Sequence, residues 1–119
     1  MRLPLSEQSP LLIKIKPLIY QFVSEEIRQL RKQKGLTGIQ LGKILHLSQQ
    51  QISRYENGRN LIPLDMLLLL LFVLEESPAY FFQRLSAFVD QITDAIDSCA
   101  ALNASLNTVH NKPVRTISS

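Results

Sequence analysis

Between residues 38 and 55 the chain carries a spacing that few folds can satisfy. Counting Gly38 as the first place, apolar side chains fall at the fourth, eighth, tenth, fifteenth and eighteenth places: Leu41, Leu45, Leu47, Ile52 and Tyr55. Cap signals punctuate the same stretch. Thr37 precedes the first apolar run and Ser48 the second, both residues whose hydroxyl satisfies a helix N-terminus, and Asn57-Gly58 closes the second run. The pattern predicts two short helices separated by a three-residue turn and locked by those five side chains. With Ile52 and Tyr55 turned inward, Gln49, Gln50, Ser53 and Arg54 of the segment SQQQISRYENG are left pointing away from the core.

The rest of the chain reads as helix throughout, which predicts an all-α class. Ser9-Pro10 predicts the start of a short helix over LLIKIK, with Ser9 as N-cap and Pro10 in its first turn. Pro17 is expected to break it, with a long helix restarting at Pro17 or Leu18 and carrying Ile19, Phe22, Val23, Ile27 and Leu30 on one stripe. Gly35 ends that helix after a cationic last turn of Arg31, Lys32 and Lys34. The second helix holds Leu41, Ile44 and Leu45, and Pro63 falls in the first turn of a leucine-rich fourth. Its run over 66–74 (MLLLLLFVL) is apolar for nine residues between Asp65 and Glu75. A bilayer span needs roughly 20, so this reads as a buried core helix with no membrane role. Ser77-Pro78 opens a fifth helix bearing Phe81, Leu85, Phe88, Val89, Ile92, Ile96 and Cys99. From Asn103 onward the period fades and a disordered tail is expected. The organisation that follows is an N-terminal extension over 1–16, one helical domain over 17–102 whose last helix is extended, and a flexible tail over 103–119.

A chain of 119 residues fits one small domain plus tails and leaves no room for a separate ligand-sensing module, so no small-molecule ligand is expected. The one cysteine precludes an intramolecular disulfide framework, and the opening MRLPLSEQSP lacks the apolar run of a signal peptide; both suit a reduced, cytoplasmic setting. Residues 27–60 carry seven cations (Arg28, Arg31, Lys32, Lys34, Lys43, Arg54, Arg59) against Glu56, a balance of +6, whereas 61–119 carry three cations against six acids, or −3. Such asymmetry suggests a polyanion-facing surface on one side. No paired-carboxylate, Ser/His/Asp, Cys/His or phosphate-loop constellation is present, so no enzyme is expected. His46 reads as a turn residue and His110 lies in the tail, so neither a metal nor a cofactor is expected.

A polar outer face on the second short helix has a chemical use. Gln bonds the N6 and N7 edge of adenine and Arg bonds guanine O6 and N7, which makes Gln49, Gln50, Ser53 and Arg54 candidates for base contact in double-stranded DNA. Thr37 and Ser48 sit at helix N-termini suited to phosphate, with Lys43, Arg59 and Asn60 flanking them. At these residues the segment LTGIQLGKILHLSQQQISRYENGRN resembles the LTQxxLAxxLGxSxxxISxxExG pattern of Cro/repressor-type helix-turn-helix regulators, a likeness spanning about 27–85. The resemblance implies a five-helix DNA-binding domain, with Glu56 helping to hold its core and Asn57-Gly58 making the following turn. SQQQISRYENG, the leucine-rich helix and the Ser-Pro-aromatic start of the last helix are similar to regulators encoded with bacterial fimbrial operons. That family is associated with repressing flagellar motility. Three positions depart from the broader pattern: Gly38 for a glutamine, Gly42 for an alanine, which suits a tight helix crossing, and His46 for a turn glycine.

A single helix-turn-helix reads few base pairs, so a homodimer on half-sites about one DNA turn apart is expected. Leu85, Phe88, Val89, Ile92 and Ile96 form the candidate dimerisation stripe, with packing inside the chain as its alternative; Asp90, Asp94 and Asp97 would face away from DNA. Two other readings stay open: an antitoxin-type DNA-binding autoregulator, and a helical protein-interaction module without DNA binding.

Overall fold

The turn predicted between the two short helices is where the chain is most tightly constrained. In the computed structural model, α2 (Gly38–Leu45) and α3 (Gln49–Glu56) are joined through His46, which adopts the left-handed conformation at φ 57° and ψ 42°. The Leu47 N–H reaches back to the Gly42 carbonyl at 2.7 Å, closing the helix end. That return folds the backbone over Gly42: a Cβ built there would lie 2.5 Å from the Leu47 carbonyl oxygen. Glycine at 42 lets the turn close this tightly, and a Cβ there would push the Leu47 carbonyl aside. Both caps form. Thr37 and Gln40 make a reciprocal capping box at the start of α2, and Ser48 Oγ accepts from the Gln51 N–H at 3.1 Å.

The structure describes residues 5–59 and 61–107, with side chains described for 13–59 and 61–98. Three further helices bring the described residues to five, with no strand among them: α1 (Leu5–Gln33), α4 (Leu64–Val73) and α5 (Pro78–Asn107). The chain divides into two compact units, Lys16–Leu85 and a second that groups Met1–Ile15 with Ser86–Ser119. The first unit holds one core, built from Val23 and Ile27 of α1, Leu41 of α2, Ile52 and Tyr55 of α3, Ile62, Leu67, Leu70, Leu71 and Leu74 around α4, and Phe81 of α5. Leu45 and Leu47 pack half-buried against it, so all five locking positions serve the core, whereas Ile44 is exposed. Full burial of one such side chain stabilises by about 1.5–3 kcal/mol, which is what holds an eight-residue helix that would not persist alone.

Three expectations are corrected. First, the N-terminal region is one helix from Leu5 to Gln33, with neither a start at Ser9 nor a break at Pro17. Pro17 removes one backbone bond and faces water, but the apolar phase of Ile15, Ile19, Phe22, Val23, Ile27 and Leu30 runs through it unchanged, so the helix is retained despite that loss. The boundary between the two units nevertheless falls at Ile15/Lys16, beside this proline. Second, the leucine run is a one-sided core helix. Leu67, Leu70, Leu71 and Leu74 are buried while Leu64, Leu68, Leu69 and Phe72 are exposed, a distinction that an uninterrupted apolar run cannot encode. Third, α5 continues to Asn107, because Ala100, Ala101, Leu102, Ala104 and Leu106 favour helix after the apolar stripe fades. Residues 108–119, on which most of the expected tail falls, lie outside the described residues, as does the side chain of Cys99.

The long ends are handled by local chemistry. Gly35 at φ 73° terminates α1, with Leu36 N–H bonding the Arg31 carbonyl at 3.1 Å. Pro63 is the N-cap of α4, one place before the first turn, and Ser77 Oγ accepts from the Tyr80 N–H at 3.2 Å to start α5. Lys34 is paired with Glu75, whose carboxyl is held below its usual range by that hydrogen bond and then by the lysine's charge. A depressed carboxylate contributes above its ordinary titration range and loses the contribution on acidification, and full exposure keeps this tie minor.

The two helical glycines should therefore respond in opposite ways. Gly42→Ala gains helix propensity of about 1 kcal/mol but meets backbone, so a net loss of about 1–2 kcal/mol is expected in urea denaturation. At Gly38 a Cβ would sit 3.8 Å from Gln49 Cγ and Ile52 Cγ2, ordinary contact, so Gly38→Ala should be neutral or stabilising in the same measurement.

Candidate nucleic-acid interface

The orientation of α3 is set from inside the unit. Ile52 and Tyr55 bury one face of the helix, and a salt bridge fixes its C-terminal end to α1. Arg31 Nε donates to Glu56 Oε2 at 2.7 Å and Nη2 donates to Oε1 at 2.9 Å, a bidentate fork. The third guanidinium nitrogen, Nη1, donates to the Leu36 carbonyl at 2.8 Å and thereby satisfies the chain just past the end of α1. Both side chains are largely buried, and the carboxylate holds the Arg31 guanidinium above even its ordinary high range. Arg31 is thus a structural residue. Its assignment to a cationic helix terminus missed a partner 25 residues away, which no local pattern reveals.

With α3 clamped this way, the four base-contact candidates share the remaining face. Gln49, Gln50, Ser53 and Arg54 are all exposed, whereas Gln51 is half-buried. Thr37, Lys43, Ser48 and Arg59 are exposed as well; Asn60 lies outside the described residues. The Thr37 and Ser48 hydroxyl oxygens accept backbone hydrogen bonds as caps, which leaves each O–H proton available to donate outward. Asn57 Oδ1 accepts from the Arg59 N–H at 2.9 Å and so orders the turn that presents Arg59. Gly58 at φ 77° brings that turn against α1, where a Cβ would lie 3.4 Å from the Gln21 Cα.

Pairing sorts the basic segment into two sets. Arg31 is neutralised by Glu56, Lys34 by Glu75, and Arg28 meets Glu25 loosely at 3.7 Å. Lys32, Lys43, Arg54 and Arg59 form no ion pair with the described residues. A shallow cleft open to solvent runs beside α3, lined by Arg28, Gly38, Gln49, Ser53 and Asn57 and by the Arg31–Glu56 pair. Arg28 is the residue here that spacing did not single out: only its count in the local charge hinted at a place beside α3. Among the described residues no group of His, Cys, Asp or Glu could hold a metal, and no helix is long and apolar enough to cross a membrane.

Two capped helices at this spacing, with a polar outer face on the second, form a helix-turn-helix motif. Residues 27–81 match the helix-turn-helix family HTH_3. The chain is similar to an uncharacterized HTH-type transcriptional regulator of Rickettsia prowazekii and to another of Rickettsia conorii, each 34% identical over 67 residues, or 56% of this chain. The matched segment covers 52% and 54% of those two proteins, so the chain spans about half the length of the curated relatives it matches. No solved structure matches.

The clamp gives a stability prediction separable from binding. Glu56→Gln or Arg31→Ala leaves a part-buried charge without its partner and should cost about 1.5–3 kcal/mol in urea denaturation. Arg54→Ala, on the exposed face, should change stability by less than about 0.5 kcal/mol.

Proposed function

We propose that the chain is a sequence-specific DNA-binding regulator of transcription that reads the major groove with α3. The observation that carries this reading is the exposed row of Gln49, Gln50, Ser53 and Arg54 on a helix whose other face is locked by Ile52, Tyr55 and the Arg31–Glu56 clamp. Rigid placement matters because base discrimination depends on bidentate geometry, and a helix free to roll would lose it. In this reading Gln49 and Gln50 take adenine edges, Arg54 takes guanine and Ser53 adds a hydrogen bond to a neighbouring base. Thr37 and Ser48 donate to phosphates at the N-termini of α2 and α3, while Lys43, Arg59 and Asn60 neutralise the flanking backbone.

The protein acts as a homodimer on paired half-sites, in the cytoplasm where chromosomal promoters are found. The likeness of SQQQISRYENG to regulators encoded with fimbrial operons supports promoters of fimbrial and motility genes as its targets, with repression as the outcome.

Binding of the purified chain to a randomised duplex library, followed by sequencing of the bound fraction, tests the reading. A recurrent two-fold motif is expected. Arg54→Ala or Gln50→Ala should cost about 1–3 kcal/mol on that motif and relax preference at particular bases. Arg59→Ala should weaken binding uniformly and reduce the salt slope by about one. Equal losses on the motif and on random duplex for Arg54→Ala would remove it from the base-reading set.

A further inference from the structure

Most of the exposed apolar surface of the helix-turn-helix unit that is not scattered lies on α4. Leu64, Leu68 and Phe72 follow one another at four-residue spacing and stand 65%, 40% and 80% exposed, with Leu69 at 49% beside them. Leu61, at 60%, precedes the helix. The only charge on α4 is Asp65, at its first turn. These side chains leave on the order of 400–500 Å² of apolar surface open, comparable to the largest patch on a typical monomer, which is often a functional surface.

We infer that this face of α4 is where a second copy of the chain docks, the two helices lying antiparallel about a two-fold axis at Leu68. The area fits: a standard interface takes about 800 Å² from each partner, of which roughly 55–65% is apolar, so the patch supplies the apolar part of one partner's share. The chemistry fits too. Between 66 and 73 there is no charge by which a polar partner could be gripped or oriented, whereas an isologous contact needs only a face complementary to itself. The row 64–68–72 is symmetric about its middle member, so the two-fold sets Leu64 against the partner's Phe72 and Leu68 against its own counterpart. The α5 stripe is less available, since Phe88, Val89, Ile92 and Ile96 are already half-buried within one chain. The two-fold also supplies the second recognition helix that paired half-sites require, and only that clause rests on the function proposed above.

Sedimentation velocity on the full chain without DNA, over a hundredfold concentration range, tests the inference. The native chain should sediment as a dimer, and Phe72→Glu should raise the dimer dissociation constant at least 100-fold while its circular dichroism spectrum stays unchanged. Adding Leu64→Lys to Phe72→Glu should restore much of the dimer, because the new opposite charges face each other across the axis. A native chain that remains monomeric, a Phe72→Glu dimer that persists, or a dimer lost only with Val89→Glu would overturn the inference. DNA binding is scored separately with Arg54→Ala, which should leave the dimer intact. A dimer disrupted at Phe72 in a chain with no affinity for any duplex would sink the DNA-reading function and leave this surface standing.

Discussion

The forked ion pair between Arg31 and Glu56 is the interaction on which the arrangement of the unit depends. It joins the last turn of α1 to the last turn of α3, and through Nη1 it also ties down the Leu36 carbonyl at the entry to α2. Three segments that are distant or loosely connected in sequence are thereby held by one planar group. Arginine suits this place because its fork meets a carboxylate with two parallel hydrogen bonds and still has a donor in a third direction, which a lysine ammonium cannot arrange in the same plane. Both side chains are largely withdrawn from water at the edge of the cleft, so removing either one leaves the other poorly compensated.

From that clamp outward, the polar surface is a consequence of what is used internally. Lys34 is paired with Glu75, and Arg84 lies between Glu26 and Glu76 while its guanidinium stacks over Tyr80 at 5.5 Å from the ring centre. These pairings tie α1 to the turn after α4 and to the start of α5. The cations left without partners among the described residues include Lys43 on α2, Arg54 on α3 and Arg59 in the turn beyond it. Net charge was therefore a poor guide to available charge. Residues 27–60 balance at +6, yet the field felt outside comes from the few cations that no carboxylate has taken.

The same sorting applies to apolar residues. The core takes Leu67, Leu70, Leu71 and Leu74 from α4 and leaves Leu64, Leu68, Leu69 and Phe72 in water. A helix apolar on all sides has two uses for its side chains, and in this unit only one side has neighbours. That imbalance is what makes α4 a surface as well as a strut, while α3 is polar on the face it turns outward.

Short-range features were legible in the sequence because they depend on chemistry within a few residues. The caps at Thr37, Ser48 and Ser77, the left-handed turn at His46, the close approach at Gly42 and the inward set of Leu41, Ile52 and Tyr55 are local problems of hydrogen bonding and steric fit. The outward set on α3 followed by exclusion, since helical period leaves those positions nowhere else to point. Other decisions needed the tertiary structure. Continuity of α1 through Pro17 weighs a local penalty against an apolar phase that extends on both sides of it. The burial of Arg31 requires Glu56 to arrive from another helix, and the split of the leucine run requires knowing which side of α4 has neighbours. For α2 and α3 the spacing of their own side chains determined where each helix would begin and which face it would offer; which charges were spent inside and which apolar faces stayed open was decided only when the helices packed, because burial depends on atoms that are distant in the chain.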